Sequence, residues 1–449
     1  MSPDVDAEIT FHNTGVTLTL RVNQPPIAHA LHCLSLVREA EAKARRRGWP
    51  SRWYAARPSS QQWAGLDNQG ATCYLNSLLQ SLFICPDVRA YVYAFEYRPE
   101  THGAEEHCVP LQLARLFCRM QHSRRHVLST RELTASFGWS EAEAHRQHDV
   151  QELCRVLFDA LGKFGVPLAP RLFEGLLRDS LRCSCCGLES ARREAFSDVP
   201  LDIAELETLE QALRHFVRQE RMEGADAWRC GRCGARSSKK DTRFERLPEL
   251  MMLHLKRFVF DRATMRRRKL NHRVSFPETL DMSPYVTAPA DAEHAGARGA
   301  APAATAEWYD CVGVLVHAGT AHGGHNFALL RPKAGAERGP AGDGWFEFND
   351  SAVRRASVES REAAEGDGEA EAANGIESGS SCYMLLYRRR GEGGQLAAAQ
   401  APAVLCAEVE HEEEEAAQLR QWSQAADGVA RLRVLPAHDA RAVTTLTAR

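Results

Sequence analysis

The sequence predicts an α+β protein on three observations. Up to about Pro170 the apolar residues recur at helical spacing. Two Cys-x-x-Cys-Gly knuckles follow, beginning at Cys183 and Cys230. From Leu247 the period falls to two, and repeated runs of that kind between turn residues predict an antiparallel sheet.

At 449 residues the chain exceeds a single ordinary core, so two or three domains or subdomains are expected. A hydrophobic fraction of 44% with 26% charged residues is that of a soluble globular protein. Lys plus Arg number 56 against 59 acidic residues, a net charge of -3, which gives no electrostatic footprint for nucleic acid. No run of about eighteen apolar residues occurs, so no membrane partner is expected. Met1 to Asp6 lacks the basic-then-apolar pattern of a secretory signal. In such a chain 14 cysteines argue for thiols and metal ligands over disulfides, and for a cytoplasmic or nuclear location.

Residues 1–57 read as an N-terminal extension with no assignable chemistry. Ile9, Phe11, Val16, Leu18, Leu20 and Val22 alternate around Asn13-Thr14-Gly15, which predicts a hairpin, and a helix over 27–46 follows Pro25-Pro26. Residues 60–170 are mostly helical. Leu75, Leu78, Leu79, Leu82 and Phe83 fall on one face of a helix that Pro86 is expected to close. Asp149 is placed to cap a second helix, with Glu152 as capping-box partner and Leu153, Val156, Leu157, Ala160 and Leu161 as its buried stripe.

Residues 171–246 carry the knuckles. Residues 247–390 carry strands at Leu253–Lys256, Phe258–Phe260, Cys311–His317, Asn326–Arg331, Trp345–Asn349 and Cys382–Tyr387. Two compositionally biased stretches, about 288–306 and 357–381, read as disordered surface insertions. Residues 391–449 give a glycine-rich linker, an acidic helix over 408–426 and a strand at 431–435. That strand would open a further module that stops short, so the chain reads as a fragment of something longer.

Four stretches carry chemistry. Cys73 stands where the polar loop Gly65–Thr72 turns into the first helix. Free N–H groups and the positive end of the helix dipole there favour a thiolate, although a lone cysteine is also an ordinary core residue. Cys183, Cys186, Cys230 and Cys233 form two tight knuckles, the pattern of a closed four-thiolate structural zinc site, and the long gap requires an insert to fold out between them. Cys185 falls off the spacing. On the glycine-rich turn before a strand, His317, His322 and His325 compete, and only His325 immediately precedes the strand. At the end of Gly344–Asp350, Asn349 or Asp350 can orient an imidazole, though Asn-Asp is also common turn chemistry. Cysteine, histidine and asparagine from remote segments make the set used by papain-like cysteine hydrolases.

Gly65-Leu66-x-Asn68-x-Gly70-x-Thr72-Cys73-Tyr74-Leu75-Asn76-Ser77, Gln147–Leu153, the paired knuckles, Leu255–Phe258, Gly323-Gly324-His325 and Phe348-Asn349-Asp350 occur in that order. Together they resemble the boxes of the ubiquitin-specific proteases, a papain-like family of deubiquitinating enzymes. Ser136–Trp139 and Lys269–Asn271 resemble the branch of ubiquitin carboxyl-terminal hydrolases 47, 40 and 7. The likeness runs from about Gln62 to Tyr387. It implies a helical thumb over about 60–170, zinc-ribbon fingers over 171–246 and an antiparallel-sheet palm over 247–390.

It further implies Cys73 as nucleophile, His325 as general base and acid, Asn349 as its orienting partner, Asp350 as a second polarising candidate and Asn68 as oxyanion donor. Gln147, Asp149 and Gly324 would hold the tail of ubiquitin. Ubiquitin and ubiquitinated proteins are the implied partners, with one structural zinc and no catalytic cofactor. The chain departs from the family at Asn326, where a tyrosine is usual, which raises two rival readings: a catalytically weak ubiquitin-binding scaffold, or a protease for another ubiquitin-like modifier.

Overall fold

Cys73–Phe83 forms helix α1, and all 11 of its residues are buried. The spacing alone called for one buried face. Burial on every side is possible because the polar residues find partners inside the fold. Asn76 donates to the Asp350 carboxylate and the Asp67 carbonyl, while the Ser77 and Ser81 hydroxyls donate to the Tyr74 and Ser77 carbonyls. Pro86 does not close this helix. α1 ends at Phe83, and Pro86 opens helix α2 (Pro86–Tyr93), where a missing N–H costs nothing.

The computed structural model describes residues 6–11, 16–21, 56–57, 63–139, 149–223, 228–262, 265–287, 307–321, 323–332, 344–356, 379–391, 399–428 and 431–435. Gln147, His322, the helix expected over 27–46, the insertion at 288–306 and nearly all of that at 357–381 lie outside them. The chain divides into two compact units, Gly65–Phe117 with Thr130–Pro402, and Met1–Ala64 with Cys118–Ser129 and Ala403–Arg449.

In the larger unit, helix α3 (Val150–Lys163) is capped by Asp149, whose carboxylate accepts from the Gln151 N–H. Its buried face is Val150, Leu153, Cys154, Leu157, Phe158 and Leu161, whereas Val156, expected in the stripe, is 43% exposed. The stripe turns toward Cys154 because that flank meets the sheet, with Cys154 Sγ 3.9 Å from Met252 Sδ.

The chain continues through β1 (Gly175–Cys183), β2 (Glu189–Phe196), β3 (Val199–Leu201), α4 (Leu209–Phe216), β4 (Glu220–Glu223) and β5 (Ser237–Arg246). After these come β6 (Leu250–Leu255), β7 (Phe258–Asp261), β8 (Arg266–Lys269), β9 (Thr279–Asp281), β10 (Trp308–Thr320), β11 (Gly323–Leu330), β12 (Phe346–Asn349), β13 (Ala352–Arg355) and β14 (Ser380–Arg389). The last begins at Ser380, inside the stretch read as an insertion.

The sheet that carries the site has eight strands, in the order β13-β12-β11-β10-β14-β6-β3, with β9 also on β10. Its pairs are antiparallel except β3 with β6, which are parallel, so the sheet is not purely antiparallel. β7 leaves it and, among the described residues, pairs with β8 alone. One core lies where Met251, Leu253, Val314, Val316, Leu385 and Tyr387 of the sheet meet Leu209 and Leu213 of α4. α1 packs against β11 and β12. A separate four-stranded sheet, β2-β1-β5-β4, carries the knuckles.

In the smaller unit, Asp6–Phe11 and Val16–Arg21 pair antiparallel as the predicted hairpin. Arg431–Leu435, read from sequence as the start of a further module, pairs with Asp6–Phe11 and makes a three-stranded sheet. The acidic helix spans Ala403–Gly428. Two of its glutamates are tied to the segment Cys118–Ser129: Glu412 accepts from Arg119 and Arg125, and Glu413 from Ser123 and Arg125. Burial alone would raise the Glu412 carboxyl, but the two guanidiniums hold it below its ordinary value.

Arg257 is fully buried, although it carries a charge. Its guanidinium donates to the carbonyls of Leu270 (2.8 Å), His272 (2.9 Å) and Cys382, so it pins the β8-to-β9 connection and β14 to the end of β6. Truncation strands several buried acceptors. Arg257→Ala is expected to lower stability by about 3–5 kcal/mol, and Arg257→Lys to recover only part, because an ammonium lacks the planar fork. Urea unfolding followed by circular dichroism checks both variants.

Candidate active site

The site is assembled from a loop, a helix N-terminus and two strands. Asn68 shapes the loop before α1: its side-chain oxygen accepts from the N–H groups of Gly70 (2.9 Å) and Thr72 (3.1 Å), and Thr72 Oγ1 accepts from the Gln69 N–H. Gln69 in turn bonds Thr130 at 2.8 Å. This brings Cys73 in as the first residue of α1, only 2% exposed.

His325 is the third residue of β11, opposite Ala318. It lies within the strand and not ahead of it. Its Nε2 is 2.7 Å from Asn349 Oδ1, and the Cys73 thiol is its strongest electrostatic partner. Asn349, the last residue of β12, also donates to Glu347 Oε1 at 3.4 Å. Glu347 is buried and paired with Arg354 at 2.8 Å. Two residues apart on β12, Glu347 and Asn349 share a face, so Glu347 supports Asn349 directly.

Asp350 has a different task from Asn349. Its carboxylate accepts from Asn68 Nδ2 (2.9 Å) and Asn76 Nδ2 (2.7 Å), and its carbonyl accepts from the Leu66 N–H (2.8 Å). His325 Nε2 is farther off, at 3.9 Å. Asp350 therefore orients the Asn68 amide, and Asn349 orients the imidazole. The Leu66 contact needs Gly65, since a Cβ there would fall 2.2 Å from the Ser351 carbonyl oxygen.

The electrostatics follow from the geometry. Burial pushes the Cys73 thiol up, but His325 and the backbone and side-chain N–H groups of Asn326 outweigh it, and the net shift is downward. His325 is raised to about 9, chiefly by its hydrogen bond to Cys73 and then by Asn349, against the opposing effect of burial. Both shifts favour a thiolate–imidazolium pair. His317, the rival in the described turn, goes the other way: burial, then Lys269 and His325, lower it to about 4. It is a neutral core histidine whose ring meets Phe258 edge-on.

Asn326 places its amide nitrogen 3.8 Å from the Cys73 sulfur. The departure noted in the sequence thus puts a donor beside the sulfur where the family has an aromatic ring.

Two expected tail-binding residues have other partners. Asp149 is exposed; one oxygen caps α3 and the other accepts from Tyr383 Oη at 2.6 Å. Nothing in the sequence linked Tyr383 to it. At Gly324 a Cβ would come 2.3 Å from the Ala318 carbonyl and 2.6 Å from His317 Nε2, so close strand pairing alone requires glycine.

Away from this site, Cys183, Cys186, Cys230 and Cys233 converge with all four sulfurs within 4.8 Å of one another. Sulfurs of different knuckles stand 3.6 Å (Cys183–Cys233) and 3.5 Å (Cys186–Cys230) apart. Cys185 is exposed and outside the cluster.

A family profile described as ubiquitin carboxyl-terminal hydrolase matches residues 64–387. The chain belongs to the ubiquitin carboxyl-terminal hydrolase family. Among curated proteins it is 34% identical over 388 residues to ubiquitin carboxyl-terminal hydrolase 47 of Homo sapiens, covering 74% of this chain and 28% of that protein. It is 35% identical over 339 residues to ubiquitin carboxyl-terminal hydrolase 15 of Schizosaccharomyces pombe, covering 73% and 28%. With ubiquitin carboxyl-terminal hydrolase 7 of Drosophila melanogaster it shares 32% over 395 residues, covering 86% and 31%. The chain thus spans less than a third of these relatives' own length. No described helix of this family member is long and apolar enough to cross a membrane.

The direction of the two shifts sets a pH dependence. Alkylation of Cys73 follows its thiolate, so it is expected to persist below the ordinary thiol range and to fade as pH drops through the lowered value. His325→Ala should move that profile upward, and Asn326→Ala should move it by a smaller amount in the same direction. Peptide mass mapping after iodoacetamide pulses across pH isolates Cys73 from the other thiols.

Proposed function

We propose that this chain is a thiol-dependent ubiquitinyl hydrolase, cleaving the isopeptide or peptide bond after the C-terminal glycine of ubiquitin. The observation that carries the reading is His325 bonded to Asn349 and coupled electrostatically to the Cys73 thiol, with the Asn68 amide held by Asp350. The Cys73 thiolate attacks the glycine carbonyl. One N–H of Asn68 is engaged by Asp350, and its other N–H, with backbone donors at the start of α1, stabilises the oxyanion. His325 gives its proton to the departing lysine amine as the tetrahedral adduct collapses to a thioester. His325 then deprotonates a water that attacks the thioester, which frees the ubiquitin carboxylate and returns the thiolate.

Asn349 and Glu347 keep the imidazole in one orientation through both steps. Asp149 offers a fixed carboxylate for the arginine that precedes the terminal glycines, and Gln147 and Gly324 are assigned to the same channel. The partners are ubiquitin and its conjugates, met in the reducing cytoplasm or nucleus.

The four-cysteine cluster is assigned to one structural zinc. A tetrahedral ion with Zn–S bonds near 2.3 Å needs sulfurs about 3.8 Å apart. The sulfur separations of 3.5 and 3.6 Å fit that requirement, and an N–H···S contact from Arg232 to Cys230 (3.4 Å) suits a thiolate. The ion would cross-link two turns and supply folding energy, with no part in the reaction.

With a fluorogenic C-terminal amide of ubiquitin, Cys73→Ala is expected to reduce release to background; equal rates for variant and parent would sink the reading. Asn68→Ala should cut kcat about 10²–10³-fold with little change in KM, because the lost donor acts in the transition state. Stripping zinc, or Cys230→Ser, should lower protease resistance of residues 175–246 before it touches the alkylation profile of Cys73.

A further inference from the structure

We propose a second metal site, formed by Cys118, His122 and Cys406, that takes a thiophilic divalent cation of the zinc type. Cys118 and His122 are four residues apart on the helix Val109–His122, so their side chains share one face a turn apart. Cys406 comes from the helix Ala403–Gly428. The two sulfurs and an imidazole nitrogen all lie within 4.8 Å of one another. A tetrahedral zinc with Zn–S near 2.3 Å and Zn–N near 2.0–2.1 Å sets its ligand atoms about 3.5–3.8 Å apart. Side-chain adjustment of about 1 Å closes this set around an ion.

The environment fits a bound ion. Cys118 is buried, Cys406 half-buried and His122 exposed, so the ligands form a cup open on the solvent side. An ion enters from that side, and its fourth position takes water. Two thiolates and one neutral imidazole cancel the charge of a divalent cation, which leaves no net charge on the buried side. The buried cysteines Cys85 and Cys154, by contrast, belong to no ligand cluster among the described residues. The cluster also differs from the knuckles: its ligands come from two helices far apart in sequence. The ion would fasten the helix Ala403–Gly428 to Cys118–Ser129 beside the Arg119–Glu412 ion pair at 2.8 Å. This is a structural clamp, and it is independent of the hydrolase reading.

The test is metal stoichiometry of the full chain, reduced, stripped, reloaded with zinc alone and measured by inductively coupled plasma mass spectrometry. The parent is expected to hold two ions, and His122→Ala and Cys406→Ser one each, with unchanged circular dichroism. If the variants do not fold, alkylation of Cys406 in the parent decides: zinc should protect it and chelator expose it. Loss of the single ion of a one-zinc parent in Cys406→Ser would support this site and remove the knuckle assignment. A parent with a single ion that both variants keep, two ions retained in both variants, equal Cys406 alkylation with and without zinc, or a Cys118–Cys406 disulfide in the reduced preparation overturns the proposal.

Discussion

Asp350 sits at the turn between β12 and β13 with a positive φ of 48°, a conformation that aspartate tolerates better than most residues. From there its carboxylate holds Asn68 and Asn76, and its carbonyl holds the Leu66 N–H. The loop before α1, the body of α1 and the edge of the sheet are therefore tied to one residue. A thiol on a helix and an imidazole on a strand stay in register only if helix and sheet cannot slide. Charge-assisted bonds in a half-buried position supply that restraint. Because Asn349 is the neighbouring residue, the same turn also aims the imidazole.

Burial and pairing oppose each other at Cys73. Removing a thiolate from water is costly, and the same burial leaves Cys85 and Cys154 pushed up, far from reactivity. Cys73 escapes because an imidazolium, two N–H groups of Asn326 and the helix start surround the sulfur. His317 and His325 stand on the neighbouring strands β10 and β11 yet diverge: burial and then Lys269 lower the first, whereas Cys73 and Asn349 outweigh burial at the second. A few ångströms of surroundings hold one imidazole neutral in the core and raise the other beside a thiol.

The knuckles were legible from spacing, since Cys-x-x-Cys followed by glycine dictates the turn locally: Gly187 and Gly234 have φ of 70° and 74°. Helix α1 and the place of Cys73 at its start were legible for a similar reason. Glu347 and Tyr383 were not, because their roles depend on partners brought in by strand pairing and by α3. Pro86 was misjudged as a stop because a proline reads alike just after one helix and at the first turn of the next. Val156 was misjudged because period alone does not tell which flank of a stripe meets the sheet.

The sequence by itself determined the α+β class, most of the strand segments, the place of Cys73 at a helix start and the four clustered cysteines, all of which follow from residue type and near-neighbour spacing. Only the tertiary structure decided which histidine meets Asn349 and that Asn349 and Asp350 divide their tasks. It also decided that β3 joins the sheet in parallel, that Arg431–Leu435 joins the N-terminal hairpin and that Cys406 meets Cys118. Each of these depends on contacts between residues far apart along the chain, and periodicity records which face a residue occupies but not what that face will touch.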